Sequence, residues 1–369
     1  MKTTQFSRLS GALLAFCLLN VAIPQPVSSK GTAASLRQSP APPPLTAETR
    51  EQVANKLGDL LEKNYIFLDK AQEMIRAVRQ NLQNKAYDSF TEQKSFAAQL
   101  TRDLHAVYPD KHLSVQYNPA MEKQLLSTIT DPAEEEKFEE EFFSRLAPNY
   151  GFVKAEIMDG NVGYLDIRLF NPSQSTYPVA RGAMSFVSNA DALIIDLRKH
   201  HGGDPDIIKL LSSYFFDKPT LLNTFYERRK DSHSETWTDA EVQGKKMTGV
   251  DLYLLTSSKT FSGAEEFAYN LKMLKRATVI GETTGGGAHP VDFSAVGFGF
   301  VAGIPYARAI NPISKTNWEG VGVEPDIKVP AEAALNVARK EALKKIIART
   351  SDPNKRDALE KLLLSIGAN

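Results

Sequence analysis

The residues with the clearest chemical potential lie between Leu254 and Glu266, where the run LLTSSKTFSGAEE passes from an apolar stretch through a short polar turn to Ser262 and Gly263. A serine at the mouth of a helix stands beside backbone N–H groups that have no intrahelical partner, and these can hold the oxyanion of a tetrahedral intermediate. The helix dipole favours negative charge at the same place. Gly263 leaves room for an approaching carbonyl. Two readings of Ser262 follow from this, a nucleophile and an ordinary N-cap, and serine is common in the second role. Ser257 and Ser258 are rival nucleophiles, but they sit nearer the strand end and neither precedes a glycine.

Two further glycine corners could face this one. After the apolar run Ala192–Leu197 come Arg198, Lys199, His200, His201, Gly202 and Gly203. The amides of that glycine pair could complete an oxyanion hole, although a tight turn needs glycine for purely conformational reasons. The third corner runs from Gly281 through Gly285, Gly286 and Gly287 to His289. It lacks the Gly-Lys-Ser/Thr ending of a phosphate loop, so close approach of a substrate backbone is the better reading. His201 and His289 both border these corners and are candidate bases. His112, taken alone, reads as a surface histidine beside Asp110. Glu265 reads as a partner of the helix dipole or as a hydrogen-bonding support for the serine. A metal held by His200, His201 and Asp204 is conceivable, but their close spacing suits a loop better, and no metal or cofactor is expected.

The elements that must carry these corners show in the apolar periodicity. Helical spacing recurs in Val53, Leu57, Leu60 and Leu61, in Met74, Ile75, Val78 and Leu82, and in Phe96, Leu100, Leu104 and Val107. Ser89 with Glu92 predicts a capping box at the third helix. Asp131 and Pro132 open a further expected helix whose acidic run reaches Leu146. From Phe152 the pattern turns to strands, with a hairpin signature at Asp159 and Gly160. Strands and helices then alternate: helix 179–186, strand 192–197, helix 206–216, strands 221–226 and 250–255, helix 263–275, a short strand at Val279 and Ile280, a β segment 297–306, and closing helices 331–348 and 353–365. Such alternation predicts an α/β layer structure with a partly parallel sheet.

Composition narrows the function. Lys plus Arg and Asp plus Glu each number 44 in 369 residues, so there is no electrostatic footprint of a nucleic-acid binder. Lys2 and Arg8 precede an apolar run from Gly11 to Ile23, the layout of a cleaved secretory signal over residues 1–29. A flexible, proline-rich leader over 30–45 follows. The single cysteine, Cys17, lies inside the signal, so a mature chain would have neither disulfide nor cysteine nucleophile. No stable membrane span is expected after cleavage.

The runs DLRKHHGG (196–203), TSSKTFSGAEEFAYNL (256–271), RATVIGETTGGGAHP (276–290) and EGVGVEPDI (319–327) together resemble the tail-specific, or C-terminal processing, serine peptidases. The resemblance is nearest to the branch of interphotoreceptor retinoid-binding protein and the tricorn protease core. The NYIF run at Asn64 and the DKHL run at Asp110 extend it to the helical part. It implies a crotonase-like (ClpP/crotonase) ββα core over 151–330, preceded by an N-terminal helical bundle domain over 46–113 and a connecting helical segment over 114–150, and followed by C-terminal helices over 331–369. No PDZ insert fits between Leu113 and Phe152. The resemblance further implies Ser262 as nucleophile, His112 as base, Glu319 as the group orienting them, and Gly263 with Gly202 or Gly203 as oxyanion donors. A lysine base belongs to the glycine-rich loop in the bacterial and plastid enzymes; the matching position here is Gly287. The expected function is that of an exported, periplasmic or extracellular serine peptidase acting on extended polypeptide. A non-catalytic retinoid- or lipid-binding protein on the same fold is the alternative.

Overall fold

The computed structural model describes residues 44–127, Lys137 and residues 140–367. The signal, nearly all of the leader and most of the acidic run lie outside the described residues.

Three helices open the fold, α1 (Ala47–Asn64), α2 (Leu68–Gln83) and α3 (Gln93–Val107). Each turns one apolar stripe inward, with Val53, Leu57 and Leu61 of α1 meeting Met74 and Val78 of α2 and Phe96 and Leu100 of α3. The expected capping box at α3 is not formed. Glu92 is the N-cap and makes no side-chain cap bond, while the Ser95 hydroxyl donates to the Glu92 carbonyl.

These helices do not close their core alone. Strand β1 (Ser114–Tyr117), within the segment expected to be helical, pairs antiparallel with a strand nearly two hundred residues on. A short helix, α4 (Pro119–Leu126), follows it, capped by Asn118. That late partner and its hairpin mate bring Val296, Phe300, Ala302 and Ile304 into the helical core.

The second layer system is a six-stranded sheet. Its hairpin β2 (Phe152–Met158) and β3 (Val162–Ile167) is antiparallel, turning at Asp159 and Gly160. Helix α5 (Thr176–Val187) leads to β4 (Ala192–Asp196), α6 (Pro205–Ser213) to the two-stranded arm β5 (Leu221–Glu227) and β6 (Ser232–Trp237), and then to β7 (Asp251–Thr256). Helix α7 (Gly263–Met273) and β8 (Ala277–Gly281) continue the winding. The chain then forms the hairpin β9 (Val291–Gly297) and β10 (Phe300–Pro305), the strand β11 (Ala307–Ile310), which pairs with β5, and β12 (Ile327–Lys328). Strand order in the main sheet is β12-β8-β7-β4-β3-β2, parallel throughout except at β2.

Strand β4 is buried at all five positions, as an interior parallel strand with both faces covered must be. Met184, Ile207, Leu211 and Phe267 cover one face. Closing helices α8 (Ala331–Arg349) and α9 (Pro353–Ser365) cover the other, through Ala334, Ala338, Leu343 and Leu359. No described helix is long and apolar enough to cross a membrane.

The late hairpin is what seals the helical region. Phe300 is fully buried, with its ring edge-on to Phe96 at 5.9 Å and to Tyr117 at 5.3 Å. Phe300→Ala is therefore expected to lower unfolding free energy by about 3–5 kcal/mol, read from denaturant titration. A loss below about 1 kcal/mol would show that the helices hold together without it.

Candidate active site

Three loops leave the carboxyl ends of β4, β7 and β8, adjacent strands, and so emerge side by side. Backbone bonds lock them together. Phe261 N–H donates to His200 O at 3.1 Å, Gly285 N–H to Thr260 O at 2.9 Å, and the Thr260 hydroxyl to Leu197 O at 2.8 Å.

Ser262 caps α7 in a backbone conformation unusual for a side chain, φ 55° and ψ −125°. Such a conformation costs on the order of 1–3 kcal/mol and persists only where neighbours over-determine it. Glu265 is the main neighbour. Its carboxylate accepts from Ser262 N–H (2.8 Å), Gly286 N–H (2.6 Å), Gly287 N–H (2.9 Å) and the Thr284 hydroxyl (2.5 Å), while the Ser262 side chain completes a capping box. Support of the serine is thus its observed role. Burial pushes its carboxyl up to about 7 against these four donors.

Opposite the serine stands His112, contributed by the loop after α3. Its Nε2 lies 3.0 Å from the Ser262 hydroxyl. Burial pushes this imidazole down to about 4, with the charge of nearby Asp110 opposing that shift. At neutral pH it is uncharged, and a ring accepting through Nε2 carries its proton on Nδ1. That Nδ1 finds no partner, and neither does Oε1 of Glu319.

Asp110 anchors the ring from behind. One oxygen accepts from His112 N–H at 3.1 Å; the other takes the Tyr65 hydroxyl at 3.1 Å and lies 2.7 Å from His289 Nδ1. Asp110 is wholly buried and His289 nearly so. Burial opposes ionisation of both, yet their bond outweighs it, holding Asp110 below and His289 above the ordinary ranges. Glu319 accepts from Ala288 N–H at 2.6 Å and lies 3.6 Å from His289 Nδ1; burial, then Asp110, raises its carboxyl.

The expected oxyanion amides divide. Gly202 N–H is already given to His200 Nδ1 at 3.0 Å, which removes Gly202 as a donor. Its lack of a side chain has another use, since a Cβ there would fall 2.8 Å from Ser262 Cβ. Gly203 and Gly263 both border the cavity beside Ser262, and their N–H groups make no hydrogen bond among the described residues. His201 is half-exposed and lies outside the cavity lining, so the structure does not bring it to the serine.

Asp110, His112 and Glu319 each place one ligand-type atom within 4.8 Å of the others, the one such group among the described residues. With the oxygens of Asp110 taken up by Tyr65, His112 and His289, the set suits proton handling better than an ion. His200, His201 and Asp204 form no such group; Asp204 caps α6 and His200 packs on Phe170. Reasoning from sequence passed over Tyr65, Thr284 and the weight carried by Asp110, although Asp110 stands only two residues before His112.

A serine hydroxyl at a strand-to-helix turn, met by an imidazole nitrogen at 3.0 Å, fits the class of serine hydrolases. Residues 161–329 match the model of Peptidase family S41, and residues 45–149 match the N-terminal domain of Peptidase S41 in eukaryotic IRBP. The chain belongs to peptidase family S41. It is 28% identical over 173 residues to the chloroplastic carboxyl-terminal-processing peptidase 2 of Arabidopsis thaliana, a match over 46% of this chain and 32% of that protein. The chain thus spans about a third of the length of this curated relative. Among solved structures it resembles a lipoprotein from Streptococcus agalactiae (TM-score 0.55, 12% identity, covering 84% of this chain and 100% of that one). Mature CPAF is similar to the same degree (TM-score 0.55, 13% identity, 83% and 99% covered). At those identities the likeness concerns the fold alone.

Breaking the Asp110–His289 pair tests the anchor. Asp110→Asn leaves a buried cation without its counter-charge and is expected to cost about 3–5 kcal/mol near pH 5. His289 has a raised folded pKa, so its contribution is complete below its ordinary value of about 6.5 and is lost as pH rises through the raised one. Asp110 has a lowered one, so its contribution is complete above about 3.9 and is lost on acidification through the lowered value. The deficit of the variant should accordingly shrink between pH 5 and pH 9. A deficit independent of pH over that range would mean that the pair is not ionised.

Proposed function

We propose that the protein is an exported serine endopeptidase or carboxyl-terminal processing peptidase with a crotonase-like core and no PDZ module. The observation that carries this reading is the 3.0 Å approach of His112 Nε2 to the Ser262 hydroxyl beside two unengaged glycine amides.

Each step has a group in place. His112 takes the Ser262 proton on Nε2 as the alkoxide adds to the peptide carbonyl. Gly203 and Gly263 N–H groups receive the oxyanion. The imidazolium that forms carries a proton on both nitrogens, and a carboxylate oxygen of Glu319 stands within 4.8 Å of a ring nitrogen to favour that charge. Collapse of the tetrahedral adduct breaks the C–N bond, and His112 passes its proton to the departing amine. Water, deprotonated by the same nitrogen, then hydrolyses the acyl-enzyme and restores the serine.

Substrate in extended form suits the site. Strands β5, β6 and β11 form a separate sheet beside the cavity, and Phe225, Ser234 and Thr236 from it line the wall. An added strand is a common way for such a surface to take a peptide. Export rests on the signal-like N-terminus.

A fluorophosphonate probe is expected to label the wild type and not Ser262→Ala. Labelling that survives in the variant would remove the nucleophile, and none in the wild type would favour the binding-protein alternative. His112→Gln should lower kcat/KM on a peptide substrate about 10³–10⁴-fold. Because the base works in its neutral form and burial holds it near 4, kcat/KM should stay flat down to about pH 5 and fall below about pH 4. An acid limb near 6.5 would contradict a desolvated base.

A further inference from the structure

A cavity of about 320 Å³ opens at the nucleophile, and one of its lining residues is Glu266. This glutamate follows Ser262 by one turn of α7, its N–H donating to the Ser262 carbonyl at 3.0 Å. Both residues line the same cavity. Glu266 is only 6% exposed, and its Oε1 has no hydrogen-bond partner. Burial pushes its carboxyl up to about 7, against the amides of Asn223 and Asn270 beside it, so a cation that reaches the pocket would favour the ionised form. A buried carboxylate oxygen left without a donor costs about 1–3 kcal/mol or more, an arrangement expected where a ligand supplies what is missing.

The rest of the cavity indicates what that ligand is. Its walls are apolar, with Phe170, Phe225, Tyr306 and Trp318 among them. Asp204, Asp206 and Glu227 add acid, and no lysine or arginine lines it among the described residues. Arg229 and Lys230 point their charges at Glu227, at 3.0 and 2.9 Å, and Arg228 gives its guanidinium to the carbonyls of Glu62, Lys63 and Tyr65. His289 is the one cationic side chain of the described lining, and Asp110 already pairs with it, so a carboxylate entering beside Glu266 would find no free counter-charge there. A long apolar stem with a cationic head meets complementary groups, aromatic walls for the stem and carboxyl groups for the head.

We infer that Glu266 is a specificity residue: the cavity takes a lysine or arginine side chain of the substrate, the residue on the amino side of the cleaved bond, with Glu266 as its counter-charge. The substrate class is then an internal basic site in a polypeptide rather than an apolar chain end with its free carboxylate in this pocket. This inference rests on the proposed function.

The test uses full-length protein and two peptidyl diphenyl phosphonates that phosphonylate a nucleophilic serine. They are identical except that one carries a lysine side chain and the other an isosteric n-pentyl side chain. The lysine-type reagent is expected to label Ser262 about tenfold or more faster than its isostere. In Glu266→Gln, which keeps shape and removes charge, that ratio should fall close to one. Glu266→Leu, the second variant, should invert it. A wild-type ratio at or below one, or a ratio unchanged in both variants, overturns the inference while leaving the serine reading intact. Absence of labelling by these reagents and by the fluorophosphonate overturns both.

Discussion

The catalytic geometry hangs on a buried ion pair formed across two distant parts of the chain. Asp110 comes from the loop after α3 and His289 from the glycine-rich corner after β8, and they meet at 2.7 Å in a place almost closed to water. Burying charge is unfavourable unless geometry and extra hydrogen bonds offset it. Here the Tyr65 hydroxyl and the His112 amide supply those bonds to Asp110. The loop that bears His112 is thereby held to the corner that borders the serine. The same carboxylate thus joins the helical region to the glycine corner and fixes the backbone of His112. Lys111, next to His112, adds a second tie by donating to the Gly285 carbonyl.

A second buried carboxylate governs the other half of the site. Glu265 gathers the Ser262 amide, two amides of the glycine corner and the Thr284 hydroxyl. The strained backbone of Ser262 is stable because this clamp, rather than the local preference of the chain, determines it. With β7, β8 and α7 joined at one side chain, the hydroxyl has little freedom to leave its position. Rigidity of that kind lowers the reorganisation needed when charge develops.

Much of this could be read from the residues, and what could not has identifiable causes. The long helices and the buried strands β4 and β7 are governed by local apolar periodicity, so their place in the chain was legible. Strands β1 and β9 were not: β1 has four residues and exists through pairing with β10, far away in sequence, while β9 is only partly covered and so lacks a clear apolar pattern. The strand β1 within a segment expected to be helical is the clearest case. Ser89 and Glu92 had the spacing of a capping box, but α3 begins one residue after Glu92, so the glutamate is itself the cap. At the site, Ser262 lies against His112, and His112 beside Glu319. Gly202 could not be separated from Gly203 by sequence, since which amide is spent depends on the rotamer of His200. Tyr65 and Asp110 matter through tertiary contacts that no local pattern records.

The position of the base also explains an absence in the glycine corner. A Cβ on Gly287 would lie 2.3 Å from Phe261 Cζ and 2.7 Å from His112 Cε1, distances that no side chain tolerates. Phe261 stacks on the His112 ring with centroids 4.9 Å apart, so the two move only together. A lysine at this position, which the Ser/Lys enzymes use, would need the very volume that the imidazole and its aromatic neighbour fill. In this structure a side chain at 287 and the imidazole of His112 compete for the same space. Once His112 is seated by Asp110, glycine at 287 is a requirement of packing, and the Glu265 clamp on its amide makes the bare backbone useful in its own right.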